Sequence, residues 1–316
     1  MTIFDVLHRE ASTMPSITLM QVYNMLGVYY GMRGDVAMYR QLFNKLGAIL
    51  LTTTTTKPSL ACDDDLLVLD PSSSMEPASY YPQTAAQEWR AAFSANVFLD
   101  LAVSLNRAST PVFDPALLLT FRKLAAIYRR DTELNFIRAR TVLFLYDTHR
   151  LIEEGTNLQF VSSSTVQWSK QYHNLVEDIR CHLQVIQNPL IEASFIREAQ
   201  VFTLKTCIII ALASLAQLHS IFAPFQEEAR DKRQEILDEI SGITSMFFGN
   251  DLRYLDTALR VCWASAVRPL VHSDAGWPTM NDIFGPHCSP LPREHDSILD
   301  ESFRLLSLTT PHFIAR

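Results

Sequence analysis

The sequence predicts an all-α protein, an irregular bundle of about eight to ten helices around a central apolar helix. Apolar residues recur at close to 3.6-residue spacing through most of the 316 residues, while the two-residue alternation of a half-buried strand is hard to find. Glycine is also scarce, because the chain has nine where average usage would give about 22. Tight β-hairpins and glycine-rich phosphate loops are therefore disfavoured.

The first two predicted helices form an antiparallel hairpin. The first has apolar and small residues at helical spacing from Ile17 to Tyr30 and ends at Gly31 and Gly34. The second covers residues 36–51. A change of composition follows at residues 52–87, which are rich in Thr, Pro and Ser and predict a long loop.

Helical spacing resumes at 88–106, and the next helix begins at Asp114–Pro115, with Asp as N-cap and Pro at the first helical position, and ends at Arg130. Asp131 or Thr132 is expected to cap a further helix that ends near Glu154. The helix at 88–106 places four large apolar residues on one face: Trp89, Phe93, Val97 and Leu101.

The second half of the chain contains the predicted central helix. A helix at 168–186 is expected to stop at Asn188–Pro189, since proline removes a backbone donor. The central helix follows at 191–222, is apolar nearly all round in its second half, and is broken by Pro224. Three further helices are predicted at 227–248, at 252–270 (capped by Asn250 or Asp251) and at 297–308. A Pro/His-rich loop at about 272–295 separates the last two. We expect residues 1–316 to form a single helical domain.

Charge and cysteine usage exclude several classes of protein. The net charge of −7 argues against a surface for duplex DNA, which needs clustered Lys and Arg. The one dense basic stretch, 122–130, is interleaved with apolar residues and is expected to be the solvent face of a helix. Five scattered cysteines suit reduced intracellular thiols better than a zinc knuckle or a disulfide framework: Cys62, Cys181, Cys207, Cys262 and Cys288.

Neither a secretory signal nor a membrane span is predicted. The first ten residues contain acids and no apolar run of seven. The longest apolar stretch, 207–215, is about half of the roughly 20 residues that a bilayer span needs. We expect it to be part of a buried core helix.

Part of the first hairpin matches a tetratricopeptide unit. Leu26-Gly27 with Tyr30, Gly34-Asp35 and Phe43 occupy packing positions of such a helix pair, with Gly27 allowing close approach of a neighbouring helix. A second copy would begin some 34 residues later, inside the Thr/Pro-rich loop. A helical-repeat scaffold therefore remains an alternative supported by a single unit.

Two candidate metal sites are incomplete. Asp63-Asp64-Asp65 invites comparison with the magnesium motif of isoprenoid synthases, but apolar residues 66–69 follow it, and the second motif fails because Asn250 is followed by Tyr254 and Ala258. Zinc would need His287-Cys288 to converge with His272 or His295 in a Pro-rich loop. Cys181-His182 and Cys207 are interpreted as core residues. An isoprenoid-synthase-like enzyme is kept as an alternative, and no catalytic, cofactor-binding or metal residue is assigned.

Three stretches together resemble the fungal-specific transcription factor domain: Ile17 to Leu50, Glu88 to Asp100 with Ser104, and Leu255 to Ala266. This is the helical middle homology region found downstream of the binuclear zinc cluster in fungal regulators, and the resemblance covers about residues 15–272. The chain departs from that family at Ser94 and Leu101, and the six closely spaced cysteines of the zinc cluster are missing.

The resemblance implies a regulatory, ligand-sensing or protein-interaction body that controls transcription in the nucleus. It implies no enzymatic activity and no cofactor, and leaves the ligand-binding residues unknown. The partners implied are a second copy or a co-regulator protein and a small-molecule inducer. Contact with DNA would come from an upstream segment, and no membrane contact is expected.

Overall fold

A computed structural model describes residues 16–56, 84–156, 162–194, 198–247 and 257–273. Within these ranges the chain forms nine α-helices and no strand, which confirms the all-α prediction. The helices are α1 (Ser16–Met32), α2 (Val36–Thr56), α3 (Ala85–Arg107), α4 (Pro115–Ile127), α5 (Leu134–Thr156), α6 (Ser162–Ser194), α7 (Glu198–Phe222), α8 (Glu227–Ser245) and α9 (Thr257–Ser273).

Residue contacts divide the chain into two compact units. The first contains residues 1–104 and 110–139, and the second contains residues 105–109 and 140–316. Helix α5 begins in the first unit and continues into the second. The expectation of a single domain remains a prediction.

In the first unit, α1 and α2 form the expected antiparallel hairpin. Gly34 turns the chain with a positive φ of 72°, and Asp35 caps α2 by accepting a hydrogen bond from the Met38 amide at 3.1 Å. Gly27 faces Phe43, and Gly31 faces Tyr39, so the two helices run in opposite directions. At residue 27 the helices are so close that an added Cβ atom would overlap the ring of Phe43.

Helix α2 is longer than predicted, since it continues through the threonine run to Thr56. Thr52 illustrates the reason, because its hydroxyl donates to the backbone oxygen of Ala48 at 2.9 Å and is satisfied within the helix. Helix α3 also begins three residues early, at Ala85. The rest of the predicted loop, with the apolar patch 66–69, lies outside the described residues.

Helices α3 and α4 start at side-chain caps. Thr84 accepts from the Gln87 amide at 3.2 Å, and the Gln87 side chain accepts from the Thr84 amide at 3.3 Å, which is a capping box. Asp114 accepts from the Ala116 amide at 2.7 Å, as the sequence predicts. The predicted apolar face of α3 is buried, with Trp89, Phe93, Val97 and Leu101 at 1% exposure or less.

The predicted cap of α5 is wrong by one or two positions. The helix begins at Leu134, and Glu133 caps it by accepting from the amides of Asn135 at 3.0 Å and Phe136 at 2.8 Å. Asp131 instead accepts from the Glu133 amide and lies 3.6 Å from the guanidinium of Arg90. The cap is therefore Glu133, whose side chain is longer than that of Asp131 or Thr132 and which immediately precedes the helix.

The predicted stop of α6 at Pro189 is also wrong. The helix continues through that proline to Ser194. Proline removes one backbone hydrogen bond, but burial of Ile186, Pro189 and Ala193 holds this part of the helix against the core. Residues 191–194 consequently belong to α6, and the central helix α7 begins at Glu198.

Helix α7 is the centre of the second unit. It packs against α6, α8 and α9, and its residues from Cys207 to Leu218 are all buried. Residues 200–222 are long and apolar enough to cross a membrane, and 78% of their most apolar window is buried inside the fold. The helix ends at Phe222, two residues before Pro224, as predicted.

The last described helices agree with the prediction in position but not in length. Helix α8 ends at Ser245, three residues early, and α9 is described from Thr257 to Ser273. The predicted caps Asn250 and Asp251 and the predicted helix 297–308 lie outside the described residues, as does the Pro/His-rich loop from residue 274 onwards.

Candidate functional site

Polar side chains lie inside the apolar bundle of the second unit. Helices α5, α6 and α7 share a buried cluster that includes Phe144, Leu151, Tyr172, Ile179 and Leu215. Seven hydrogen-bonding residues lie among or beside these apolar groups, and we call them the polar layer: Thr141, Thr148, His149, Tyr172, His182, Gln217 and His219.

His182 is fully buried, as are Thr141 and Thr148 of the polar layer. Its Nε2 atom lies 2.8 Å from the hydroxyl of Thr141, and its ring meets the Phe144 ring edge-on at 5.3 Å. Burial holds the pKa of His182 well below its usual value, and the nearby positive charge of Arg140 lowers it further. The imidazole is therefore neutral at pH 7.

His219 lies near the end of α7 and contacts α6. Its Nδ1 atom is 3.4 Å from the hydroxyl of Tyr172. Burial lowers the pKa of His219, the charges of Arg180 and Lys232 lower it further, and Glu228 partly opposes them. Burial also raises the pKa of Tyr172, so both groups of this pair are neutral near pH 7.

Gln217 links three helices of the second unit. Its amide nitrogen donates to the backbone oxygen of Ala266 on α9 at 2.6 Å. It also forms a hydrogen bond with His149 on α5, and this bond raises the pKa of His149 against the stronger lowering by burial. The side chain thus joins α5, α7 and α9 through neutral groups.

Several buried atoms of the polar layer make no hydrogen bond within the described part of the chain. They are Oγ1 of Thr148, Nε2 of His149, Nδ1 of His182 and Nε2 of His219. A buried polar atom without a partner costs about 1 to 3 kcal/mol. The layer therefore offers neutral donors and acceptors, which suit an uncharged polar molecule better than an ion.

Among the described residues of the first unit, one acid is deeply buried, Asp100. Its carboxylate accepts from the amides of Val112 at 3.0 Å and Phe113 at 2.9 Å, and from the hydroxyl of Tyr39 at 3.4 Å. Burial raises the pKa of Asp100 to about 6, although these hydrogen bonds and Arg40 lower it. This carboxyl joins α3 to α2 and to the segment before α4, which is a structural role.

Most of the metal candidates lie outside the described residues: Asp63 to Asp65, Asn250, Tyr254, His287, Cys288 and His295. His272 and Ala258 are on α9. Among the described residues, no group of three or more His, Cys, Asp or Glu side chains is arranged to hold a metal ion.

The predicted core and surface residues are mostly confirmed. His182 and Cys207 are fully buried, whereas Cys181 is half-buried, with its thiol 3.6 Å from Glu177. On the basic stretch, Lys123, Arg129 and Arg130 are exposed and Arg122 is half-buried. The cysteines Cys62 and Cys288 are not among the described residues.

The sequence did not point to the polar layer as a group. Thr141 and Thr148 are polar residues seven positions apart, on the same face of α5 as Phe144 and Leu151, and this interruption of an apolar face was the available signal. The pairing of His149 with Gln217 depends on helix packing and has no counterpart in the local sequence.

Comparison with known proteins adds no assignment. No family model, no curated protein and no solved structure matches this chain. The interpretation of the site therefore depends on the geometry of the polar layer and on the sequence resemblance.

Proposed function

We propose that this chain is the regulatory body of a fungal transcription factor, which senses a small molecule or a protein and controls transcription without a DNA-binding module of its own. The three stretches that carry the resemblance supply α1, α2, α3 and α9. Their apolar residues form much of the described core, including Phe43, Trp89, Phe93 and Trp263.

The polar layer is the observation that carries this proposal. It places neutral histidines, threonines and a glutamine inside an apolar bundle, where each hydrogen bond is strengthened by the low local dielectric. A small uncharged molecule with donors and acceptors would match these groups. We propose this class of molecule as the inducer.

The buried acids favour a regulatory body over an enzyme. Asp100 and Glu133 each accept two backbone hydrogen bonds and hold the ends of helices or loops in place. Carboxyl groups committed in this way are poor candidates for proton transfer, which needs a group within reach of a substrate. We propose that the chain is not an enzyme.

The proposal also includes a nuclear location, a co-regulator or a second copy as partner, and no direct contact with DNA or membrane. They follow from the resemblance. A fluorescently tagged chain expressed in a fungal cell is expected to accumulate in the nucleus. An even distribution outside the nucleus would contradict this part of the proposal.

A tethered reporter assay tests the regulatory role. The chain is fused to a heterologous DNA-binding module in a fungal host, and transcription from the matching promoter is compared with that of the module alone. We expect the fusion to change transcription. Trp263→Ala, which empties a core position that is 1% exposed, should abolish the change, whereas Lys170→Glu at an exposed position of α6 should preserve it. Equal transcription with and without the chain would contradict the proposal.

A further inference from the structure

Helix α4 carries an exposed face that is both apolar and basic. Leu119 and Ile127 lie two turns apart on it and are 52% and 61% exposed. Lys123 is exposed between them, and Arg130 is exposed just beyond the end of the helix. We call these four residues the basic face. Residues 115–130 contain four basic side chains and no acidic one.

The basic face is not needed for the packing of its own unit. The side of α4 that packs in the core is formed by other residues: Leu117, Leu118, Phe121 and Leu124. The flanking acids are also engaged elsewhere, since Asp114 caps α4 and Asp131 lies 3.6 Å from Arg90. Exposed apolar side chains that are rimmed by polar or charged residues mark protein interaction sites.

Helix α8 carries the opposite charge. Glu227, Asp231, Glu235 and Glu239 follow one another at spacings of four, and all four are exposed. We call them the acidic row. Like charges at this spacing destabilise a helix, and the pKa of Glu239 is raised by burial and by the charge of Glu235. A cationic surface against the row would relieve this repulsion.

Large apolar side chains are also exposed at both ends of the acidic row. Phe225, just before α8, is 85% exposed, and Met246, just after it, is 56% exposed. The acidic row is thus flanked by exposed apolar side chains, as Lys123 of the basic face is, and the charges of the two surfaces are of opposite sign. The two surfaces are complementary in charge and alike in their apolar flanks.

We propose that the chain associates with a second copy of itself by packing the basic face of one copy against the acidic row of the other. A single helix pair buries less than the roughly 800 Å² per partner of a stable interface. The association should therefore be weak and sensitive to salt. This inference rests on the second copy that the proposed function names as a partner, and a monomeric chain would leave the proposed regulatory role standing.

Sedimentation equilibrium of the full chain tests the proposal. At low salt the average mass should rise from 35.9 kDa towards twice that value as the concentration increases. It should return towards the monomer at high salt, because exposed charges are screened. Lys123→Glu and Glu235→Lys should each lower the association constant by about tenfold or more, since each replaces an attraction by a repulsion.

The double variant Lys123→Glu/Glu235→Lys is the decisive sample, because the reversed charges attract again. It should recover much of the association that each single variant loses. Lys170→Glu makes the same charge change at an exposed position of α6 and should leave the association constant unchanged. Circular dichroism of each variant should match the parent, since all three positions are on the surface.

Three results would overturn the proposal. The chain could remain monomeric at every concentration at low salt. It could associate with a constant that neither single reversal changes. It could remain monomeric and bind phosphatidylserine vesicles in a way that Lys123→Glu abolishes, in which case the basic face serves an anionic membrane.

Discussion

At the scale of single residues, the carboxyl of Asp100 links burial to a pH dependence of stability. Its pKa of about 6 lies above the usual value of 3.8, so the folded state holds this proton more tightly than the unfolded chain. Stability from this group is present below about pH 4 and is lost as the pH rises through 6. A shift of this size corresponds to about 3 kcal/mol.

Comparison of the parent with Asp100→Asn isolates this effect. The other carboxyl groups titrate in both proteins and cancel in the difference. The stability advantage of the parent over the variant should shrink by about 2 to 2.5 kcal/mol between pH 4 and pH 7, measured by urea unfolding at each pH. A difference that stays constant, or grows with pH, would show that Asp100 titrates normally.

Gly27 is a second residue whose environment predicts a measurable effect. A Cβ atom there would overlap Cε2 of Phe43 and lie 3.1 Å from Cδ2 of Leu99. Since Phe43 is fully buried, it has little room to move. Gly27→Ala should destabilise the protein by about 1 to 2 kcal/mol, because overpacking outweighs the gain in helix propensity.

Gly242 is the matched control for this substitution. It lies on α8, is exposed, and has nothing within 4 Å of an added Cβ atom. Gly242→Ala should therefore stabilise the protein by about 0.5 to 1 kcal/mol. If both alanine variants changed the free energy of unfolding in the same direction, the result would contradict the close packing of α1 against α2 at Gly27.

At the scale of helices, local signals predicted the start of α4 but not the end of α6. Asp114–Pro115 begins α4 as expected, because an N-cap and a first-turn proline act within a few residues. Pro189 did not end α6, because burial of Ala193 holds the next turn of the helix in place. This burial depends on neighbouring helices, which local sequence does not show. The polar layer was missed for the same reason, since Gln217 meets His149 and Ala266 only after packing.

The start of α3 gives a prediction at this scale. The capping box of Thr84 and Gln87 satisfies two amide groups at the first turn. Thr84→Ala should lower the free energy of unfolding by about 1 kcal/mol, and Thr84→Ser, which keeps the hydroxyl, should lose much less. The measurement is denaturant unfolding of the three proteins side by side. Equal stability of the alanine and serine variants would show that the hydroxyl does not cap the helix.

At the scale of the whole molecule, the fold class could be predicted because helical periodicity continues through most of the sequence and glycine is scarce throughout it. The burial of α7 followed too, since a helix that is apolar nearly all round has no face for water. The two compact units did not follow, because contacts between distant segments define them. Local periodicity specifies helices, whereas their grouping depends on which faces meet.

The distribution of charge and cysteine predicts how the intact chain behaves towards metal and DNA. The binuclear zinc cluster of the family that it resembles needs six closely spaced cysteines, whereas this chain has five that are widely separated. Its 34 acidic residues outnumber its 27 basic ones, so a generic surface would repel phosphate. Elemental analysis of the purified protein should therefore find no stoichiometric zinc, and a labelled duplex should show no salt-dependent binding. Two zinc ions per chain, or an affinity that falls steeply with salt, would mean that the chain contacts DNA itself.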